Sequence, residues 1–483
     1  MRALIIVHRW LGVAFCLLFA MWFATGIVMH FVPYPALTET ERVAGLAVID
    51  TAKMPHGPGA AVTAAKIPDA TRVRLRARSD GLVYLVRGAS GISALHAEDL
   101  TPAGVQSEIL ALVIATDHAR RRGMNANLAT VAELADYDQW TVSNGLDLHR
   151  PLYRIALNDV DGTELYVSST TGEVVRDTTR NERWWNYAGS VAHWIYPTVL
   201  RRDQRAWSAV VWTLSLIALI AAISGALVGT LRINMTPGRI ASPFQGWQMW
   251  HHWLGLGCMC FLLTWIFSGW LSMDNGWLFS NGRPSAVESM KLAGMAAWER
   301  LPAREIQLLP AQAREVEWFA FDGQIYRRER LGPDVQRLSL AGDIAGPGRA
   351  YLEPTDVTAA VRHLAPDCKA AVVVPAGDDY PVEPVVPGTP VYRSVCGEVW
   401  FHIDGSSGAM SKKLDASRRA YRWAYGALHT LDFPALAARP ALRTALIVML
   451  CGLGMAFSLT AVVIGWRRLR RDFCTAGTRK SPD

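Results

Sequence analysis

The sequence contains no basic stripe beside a nucleic-acid recognition motif, although its 483 residues carry a formal net charge of +7. Nucleic-acid binding requires such a surface, because Lys and Arg side chains must neutralise several phosphates. Part of the positive charge lies in a short tail, where Arg467, Arg468, Arg470 and Arg471 follow an apolar stretch. Arginines in that position are typical of the cytoplasmic end of a membrane span. The sequence therefore predicts no nucleic-acid partner.

Charged residues are scarce, at 19% of the chain, whereas hydrophobic residues make up 51% and tryptophan occurs 19 times. Crossing about 30 Å of hydrocarbon takes about 20 mostly apolar residues at about 1.5 Å per residue. Four stretches meet this length: residues 4–31, 207–230, 248–272 and 442–466. The first exceeds the apolar core of about 7–15 residues of a signal peptide and lacks a small-x-small cleavage site, so we predict a retained signal anchor.

Arginines beside the apolar stretches predict their orientation. Arg2 precedes the first stretch, Arg232 and Arg239 follow the second, and the arginine-rich tail follows the fourth. Positive flanks stay in the cytoplasm, so both termini are predicted to be cytoplasmic and the long segments extracytoplasmic. The predicted order is span 1–31, domain 32–206, span 207–230, cytoplasmic loop 231–247, span 248–272, domain 273–441, span 442–466 and cytoplasmic tail 467–483.

The predicted cytoplasmic parts contain no glycine-rich dinucleotide fingerprint and are too short to fold a flavin or nicotinamide domain. If the protein transfers electrons, they must therefore come from a separate cytoplasmic reductase or a membrane quinol. The spans also contain almost no acidic residues and no broken helices, which disfavours a transporter with a midplane ion site. The same scarcity disfavours zinc or manganese as a bare ion.

A phrase of the form His-x-Trp-Leu-Gly occurs at residues 8–12 and again at residues 251–255, where it opens the first and third spans. The interval of 243 residues also relates Trp22 to Trp265 and Gly26 to Gly269. Self-similarity at a fixed interval predicts a duplicated arrangement, with span, domain and span occurring twice. A histidine in a membrane span is costly and therefore usually functional.

A second repeat lies in the long segments. Residues 165–175 and 400–410 each resemble two short strands joined by a glycine turn. Aligning the glycines of the two turns gives an interval of 236 residues, which pairs His193 with His429. Each of these two histidines lies just before a span that enters from the outside. The chain therefore has two pairs of repeat-related histidines, one pair near each face of the membrane.

Neutral imidazole is a ligand for haem iron, copper or zinc. Two histidines from facing helices can supply both axial ligands of a b-type haem, while small and aromatic residues make room for the macrocycle. We therefore predict two stacked haems, the inner held by His8 and His251 and the outer by His193 and His429. The alternative is that each histidine is a hydrogen-bonding or snorkelling residue at a membrane boundary.

Two further histidines are weaker candidates, because neither is a histidine in the other copy, but both remain alternative ligands. His252 adjoins His251, and His30 lies at the outer face. His8 and His30 are 22 residues apart, about 33 Å along a helix at about 1.5 Å per residue. Histidines at the two faces therefore cannot share one haem.

Four arginines are candidate partners for haem propionates, because guanidinium binds carboxylates in a bidentate manner. They are Arg9, Arg183, Arg419 and Arg422. The alternative is that they are ordinary interface residues.

Cys368 and Cys396 are the only two of the seven cysteines in the predicted extracytoplasmic segments. They could form a disulfide in an oxidising compartment, or remain as two separately buried thiols. Within the third span, Cys258 and Cys260 are one residue apart and should therefore lie on different faces of the helix.

Together these residues resemble the PepSY-associated transmembrane proteins, and within them the di-haem ferric-siderophore reductases of the bacterial inner membrane. The resemblance is carried by residues 8–12, by the strand-turn-strand that ends at residues 171–174, and by residues 428–430 before the last span. It implies a multi-pass inner-membrane protein with two periplasmic PepSY-like α+β domains. The second copy departs from the common turn by having Ala409 where Glu173 stands.

The resemblance also implies iron-linked electron transfer, with a ferric siderophore or another ferric chelate as the acceptor. The chain would then be a membrane-bound ferric reductase with lipid around its spans. A non-catalytic PepSY protein that binds or inhibits a periplasmic partner is the main alternative. A transporter is a further one.

Overall fold

The computed structural model describes residues 1–50, 55–236, 239–274, 276–301, 305–306, 309–343 and 348–477. The chain divides into two compact units. The unit that we call the membrane unit comprises Met1–Tyr34, Trp184–Phe279 and Ala420–Asp483, and the sheet unit comprises Pro35–Arg183 and Ser280–Arg419. Each unit therefore contains residues from both halves of the sequence.

Four long helices in the membrane unit correspond to the four predicted spans. They are Arg2–Phe31, Gln204–Leu231, Gly246–Leu271 and Pro440–Gly477. All four are long and apolar enough to cross a membrane, so the chain is a multi-pass membrane protein. The second begins at a true N-cap, because the carboxylate of Asp203 accepts hydrogen bonds from two backbone amides in its first turn.

The membrane helices pack in a bundle. The first helix packs against the second and the fourth, and the third helix packs against the same two. The first and third helices, which carry the repeated phrase, therefore occupy opposite corners. Between them lies an apolar cluster that contains Phe23, Cys258, Leu262, Ile447 and Cys451.

A π-helical turn precedes each of the two outer histidines. It spans Tyr187–Val191 in the first half and Arg422–Ala427 in the second. His193 and His429 each follow two residues after the turn. Turns of this kind are rare and occur mostly at functional sites. The neighbouring short helices are Arg180–Asn186, Thr198–Arg201, Ala416–Tyr421, Leu428–Thr430 and Pro434–Ala437.

The strands, in chain order, are β1 (Ala70–Arg78), β2 (Gly81–Gly88), β3 (Ile92–His96), β4 (Thr130–Ala135), β5 (Leu152–Ala156), β6 (Glu164–Ser168), β7 (Val174–Thr178), β8 (Asn234–Thr236), β9 (Arg239–Ala241), β10 (Glu315–Phe321), β11 (Gln324–Arg330), β12 (Gln336–Leu340), β13 (Val372–Val373), β14 (Val391–Cys396), β15 (Val399–Asp404) and β16 (Met410–Leu414). β8 and β9 form a hairpin in the membrane unit, between its second and third long helices. The other strands belong to the sheet unit.

The largest sheet has six strands in the order β12-β11-β10-β1-β2-β3. Its two halves come from different long segments and meet where β1 and β10 pair antiparallel, with Leu75 opposite Val316. The two long segments, each of which was predicted to hold a PepSY-like domain, therefore share this sheet and form one compact unit. The physical reason is that each three-stranded half has an edge of unpaired backbone groups, and pairing the two edges satisfies both.

Two four-stranded sheets complete the sheet unit, in the orders β4-β5-β6-β7 and β13-β14-β15-β16. Each packs against one helix, Glu108–Arg121 in the first half and Pro354–Val361 in the second. The two halves thus have the same order of elements: three strands, a helix, four strands, a π-helical turn and a membrane helix. The other short helices of this unit are Glu39–Ala44, Pro58–Ala65, Asn144–His149, Ala286–Ala293 and Trp298–Arg300.

One face of the six-stranded sheet is charged although it is largely buried. In β1, arginine alternates with apolar residues, so the apolar side chains point to one face and the arginines to the other. The strand register places arginines on both sides of each glutamate of β10, in two cross-strand rows. We call these rows the charged face: Arg76, Glu315 and Arg330 in the first, and Arg74, Glu317 and Arg328 in the second.

Glu173, in the turn between β6 and β7, completes the pairing of this face. Its carboxylate lies 2.8 Å from Arg74 and 3.4 Å from Arg76. Burial alone would raise the pKa of Glu173, but the two arginines lower that pKa to about 2. The corresponding turn of the second half has Ala409, and there Arg328 pairs with Glu317 of the sheet itself. Because the second half has Ala409 in place of Glu173, its arginine pairs with a glutamate of the sheet instead of one from the turn.

Cys368 and Cys396 form a disulfide within the core of the second half. The disulfide was one of the two alternatives that the sequence left open. In the third membrane helix Cys258 is buried and Cys260 exposed, so the prediction that they lie on different faces is confirmed.

Candidate functional site

The inner pair of histidines has one member on the first membrane helix and one on the third. His8 and His251 face each other with ring centroids 6.4 Å apart and an interplanar angle of 29°. The ring of Phe457, from the fourth helix, stacks on His251 at 4.6 Å. The two copies of the repeated phrase therefore place their histidines side by side.

The outer pair has the same separation. His193 and His429 lie with ring centroids 6.4 Å apart, at an interplanar angle of 65°. Tyr425 stacks on His429 at 5.5 Å. Gly26 and Gly269 lie next to these rings: a Cβ at Gly269 would be 3.2 Å from Cε1 of His429, and one at Gly26 would be 3.7 Å from Cε1 of His193. Gly269 thus lets His429 approach its helix closely, whereas a Cβ at Gly26 would make only an ordinary van der Waals contact with His193.

A side-chain hydroxyl lies beside Nδ1 of each ring. For the outer pair, Thr25 is 2.9 Å from His193, and Ser268 is 3.2 Å from His429. For the inner pair, Thr460 is 2.9 Å from Nδ1 of His251. Nδ1 of His8 lies 3.3 Å from the carbonyl oxygen of Ala221 and 3.5 Å from the hydroxyl of Ser224.

These hydroxyls determine which ring nitrogen carries the proton. Thr25, Ser268, Thr460 and Ser224 each donate a hydrogen bond to a carbonyl oxygen of their own helix. Each oxygen can then only accept from Nδ1, so Nδ1 is the protonated nitrogen. In the described part of the chain, the side-chain hydrogen bonds of the four rings all go to Nδ1. Nε2 is left with its lone pair, as a metal ligand requires.

The sequence reasoning missed these hydroxyls, although the repeat intervals point to them. Thr25 and Ser268 are 243 residues apart, the same interval as between His8 and His251. Ser224 and Thr460 are 236 residues apart, the same interval as between His193 and His429. Applying each interval to the hydroxyl residues of the spans would have identified them.

The two pairs lie at different depths along the helices. Thr25, which contacts His193, is 17 residues from His8 on the first helix, or about 26 Å at about 1.5 Å per residue. Between the two levels lies a cluster of aromatic rings, with Phe261 5.6 Å from Trp265 and 6.4 Å from Phe23. The interior between the pairs is therefore apolar and aromatic.

A cavity of about 790 Å³ surrounds the outer pair. Cofactor sites in proteins typically measure about 300–1,000 Å³. Its walls include both outer histidines, His30, and the aromatic side chains of Trp22, Trp207, Trp265 and Tyr425. Burial lowers the pKa of His193 to about 3, aided by His429, and that of His429 to about 4. Both rings are therefore neutral at physiological pH.

The histidine pairs fit a metal ion whose other ligands belong to a cofactor and not to the protein. An imidazole nitrogen lies about 2 Å from the metal that it ligates, so two nitrogens on opposite sides are about 4 Å apart. The distance from each ligating nitrogen to the centroid of its ring accounts for the rest of the 6.4 Å between the two centroids. A bare zinc ion takes four ligands. Over the described ranges, no group of three His, Cys, Asp or Glu side chains comes together, so a macrocycle fits better.

The two alternative ligands have other contacts. In His252, Nδ1 lies 2.9 Å from the hydroxyl of Ser242 and Nε2 lies 2.9 Å from the carbonyl oxygen of Gly229. Both of its ring nitrogens are thus in use, which favours His251 as the inner ligand. His30 lines the outer cavity, and its Nε2 lies 2.8 Å from the hydroxyl of Thr444.

The predicted propionate arginines lie in different places. Arg183 and Arg419 belong to the sheet unit, where they donate to backbone carbonyl oxygens of Gly162 and of Leu414. Two arginines that the sequence reasoning missed, Arg201 and Arg443, line the outer cavity.

The other two predicted arginines lie in the membrane unit. Arg9 lies over the ring of Trp10 at 5.5 Å. Arg422 donates to the carbonyl oxygen of Asp432. Neither is among the residues that line the outer cavity.

A family model described as the PepSY-associated TM region matches residues 5–468. The match covers both units and all four paired histidines. No curated protein matches the chain.

Proposed function

Because the chain belongs to the family with the PepSY-associated TM region, we propose that it transfers electrons across the membrane through two b-type haems. The observation that supports this most directly is the pair of facing imidazoles at each level, with the same 6.4 Å separation. Every one of the four rings has its Nδ1 beside a protein oxygen. A ligand shared by the two rings of each pair accounts for the equal separation, although the interplanar angles of the two pairs differ, at 29° and 65°.

His8 and His251 would hold the inner haem, and His193 and His429 the outer one. When bound, such a haem supplies one-electron transfer at its iron, with a potential tuned by its axial ligands and their surroundings. The hydroxyls beside Nδ1 hold each ring in the ligating tautomer and orientation. Arg201 and Arg443 line the outer cavity and are the candidates to bind carboxylates there.

The apolar interior between the two levels excludes water from the path. Phe23, Phe261 and Trp265 lie within 6.4 Å of one another, centroid to centroid, on the two diagonal helices. A low-dielectric interior also strengthens the electrostatic contacts of the buried histidines. The helices thus keep the two sites apart.

We further propose that the protein arose by duplication and lies in a bacterial inner membrane with both termini in the cytoplasm. The arginine-rich flanks support this orientation. The disulfide between Cys368 and Cys396 supports an oxidising, periplasmic location for the sheet unit. The inner pair would then be near the cytoplasmic face and the outer pair near the periplasmic face.

The proposed acceptor is a ferric siderophore or another ferric chelate, reduced on the periplasmic side. The proposed donor is a separate cytoplasmic reductase or a membrane quinol. These assignments follow from the family resemblance and from the short predicted cytoplasmic segments. Electrons would enter at the inner pair and leave from the outer pair.

The test is an absorption spectrum of the full-length protein, purified in detergent from cells supplied with haem. We expect a Soret band and a pyridine haemochrome titration that gives two b-type haems per chain. The dithionite-reduced protein should then be reoxidised by a ferric chelate. A purified, folded protein with no Soret band would overturn the proposal and favour a non-catalytic protein that binds a periplasmic partner.

A further inference from the structure

The buried charges around the charged face do not balance. The cations that pair there are Arg42, Arg72, Arg74, Arg76, Arg328 and Arg330, and their carboxylate partners are Glu39, Glu173, Glu315 and Glu317. Six cations thus meet four anions. Burying a charge without a counter-charge is costly, so a surplus of this sign favours a bound anion.

A small cavity of about 30 Å³ lies at the edge of this cluster. Its cationic and titratable lining residues are Arg42, Arg76, Arg78, His118 and Arg121, and no acidic side chain of the described residues lines it. One water needs about 10–15 Å³ by this measure of volume. The cavity therefore has room for a single chloride-sized ion or about two waters.

Two nitrogen atoms of the lining residues are buried without a partner. In the part of the chain that the structure describes, Nε of Arg76 and Nε2 of His118 make no hydrogen bond. The two residues are only 4% and 5% exposed. Leaving a buried donor unsatisfied costs about 1–3 kcal/mol, and more for a charged group. A ligand that accepts hydrogen bonds from both would remove this cost.

The electrostatic surroundings also favour an anion. Burial lowers the pKa of Arg76 to about 10, and Glu173 offsets this only in part. Burial and the nearby arginines lower the pKa of His118 to about 3, so its ring is neutral and can donate one N–H. No acidic side chain of the described residues lines the cavity to supply the missing negative charge.

The position of His118 depends on a glycine. A Cβ at Gly45 would lie 2.1 Å from Cε1 of His118, which no side chain allows. The ring therefore packs directly against the backbone of Gly45, beside the end of the helix Glu39–Ala44. This close approach holds the unpartnered ring next to Arg76.

We propose that this cavity of the sheet unit binds one chloride-sized inorganic anion between Arg76 and His118. The site is separate from the histidine pairs, and it does not depend on haem. Its effect is to neutralise the surplus positive charge and to hold the helix Glu108–Arg121, which carries His118, against the charged face.

The test is amide hydrogen exchange of the helix Glu108–Arg121 in the full-length protein, in sodium chloride and in sodium gluconate at equal ionic strength. Gluconate is too large for the cavity. Exchange should be about tenfold slower in chloride when chloride is tenfold above its dissociation constant. Sulfate, at matched ionic strength, should protect less than chloride.

The variants are Arg121→Gln and its neighbour Arg120→Gln. Arg121 lines the cavity, whereas Arg120 is on the same helix, is exposed and does not line it. Arg121→Gln should reduce the chloride effect, and Arg120→Gln should leave it unchanged. His118→Phe should abolish it. In crystals grown in bromide, an anomalous peak should lie between Arg76 and His118.

Equal exchange in chloride and gluconate, or an equal loss of the effect in both arginine variants, would overturn the proposal. The first outcome would mean that water fills the cavity, and the second that salt acts only by screening. Protection by sulfate as strong as that by chloride would overturn the assignment to a chloride-sized ion.

Discussion

Polar groups are buried in both units, but they are paired in different ways. On the charged face of the sheet unit, Glu315 and Glu317 each lie between arginines of neighbouring strands. In the membrane unit, His8 and His251 each have Nδ1 beside a protein oxygen, and their ring centroids are 6.4 Å apart. The charges of the sheet pair with carboxylates of the chain itself, although the cations outnumber them, whereas the side-chain hydrogen bonds described for the four histidine rings involve Nδ1. Buried pairs of the first kind stabilise a fold, and the histidine pairs are the basis of the haem proposal.

The largest expected effect is the loss of a cofactor from one histidine pair. We expect His251→Ala to remove the inner haem and His429→Ala the outer one, because each removes one of two axial ligands. The haem content should fall from two to one per chain in each variant, measured by pyridine haemochrome and by the height of the Soret band.

The matched control is His252→Ala, which changes the adjacent histidine whose two ring nitrogens are already bonded. It should retain two haems. Loss of the inner haem in this variant, with retention in His251→Ala, would move the inner ligand to His252. Loss of both haems from a single substitution would point to unfolding.

The next effect concerns the charged face of the sheet unit. Replacing Glu173 by Gln leaves Arg76 without its carboxylate partner and Arg74 with Glu315, at 3.5 Å. Breaking a buried pair typically costs about 3–5 kcal/mol. Urea titration of the detergent-solubilised protein should show this loss of unfolding free energy. Glu133→Gln is the control, because its pair with Arg154 is at a similar distance, 3.1 Å, but Glu133 is 43% exposed, so we expect a loss of about 0.2–1 kcal/mol.

The pH dependence provides a second measure of the same contact. The pKa of Glu173 falls from its ordinary value of 4.5 to about 2 in the folded protein. A lowered pKa contributes stability that is fully present above pH 4.5 and is lost as the pH falls towards 2. The contribution is about 3 kcal/mol at about 1.36 kcal/mol per unit. The difference between wild type and Glu173→Gln should shrink over this range, and a constant difference would show that the charge is not responsible.

The smallest effect concerns the hydroxyl beside an outer ligand. Thr25→Val keeps the shape of the side chain but removes the acceptor for Nδ1 of His193. Loss of such a contact to a metal ligand typically costs about 10–100-fold in affinity, so haem titration of the apoprotein should show weaker binding at the outer site alone. Thr264→Val is the control, because its hydroxyl bonds only to carbonyl oxygens of its own helix. An equal effect of the two variants would mean that Thr25 acts through helix packing.

Much of the candidate site could be predicted from the sequence. The repeat interval identified both histidine pairs, and the structure brings each pair to the same 6.4 Å separation. Their service as haem ligands stays a prediction. The choice between His251 and His252 could not be made, because it depends on Ser242 and Gly229, which are distant in sequence from the ring that they bind.

The roles predicted for the arginines stay predictions. Arg183 and Arg419 were predicted as propionate partners because guanidinium binds carboxylates in a bidentate manner. The structure places both in the sheet unit, bonded to its backbone. Arg201 and Arg443 line the cavity instead, and they occupy no equivalent repeat positions. A long arginine side chain can contact either of two neighbouring surfaces, and its spacing along the sequence does not show which of them it contacts.

The sequence by itself determined the four long apolar helices and the presence of strand-rich segments between them. Each of these depends on short stretches of chain, through the length of an apolar run or the alternation of residues in a strand. Only the tertiary structure decided that β1 pairs with β10 in a shared sheet, that Cys368 bonds to Cys396, and which ring nitrogen faces which partner. These contacts join residues far apart in sequence, and their geometry is set by packing and by backbone pairing across the whole chain.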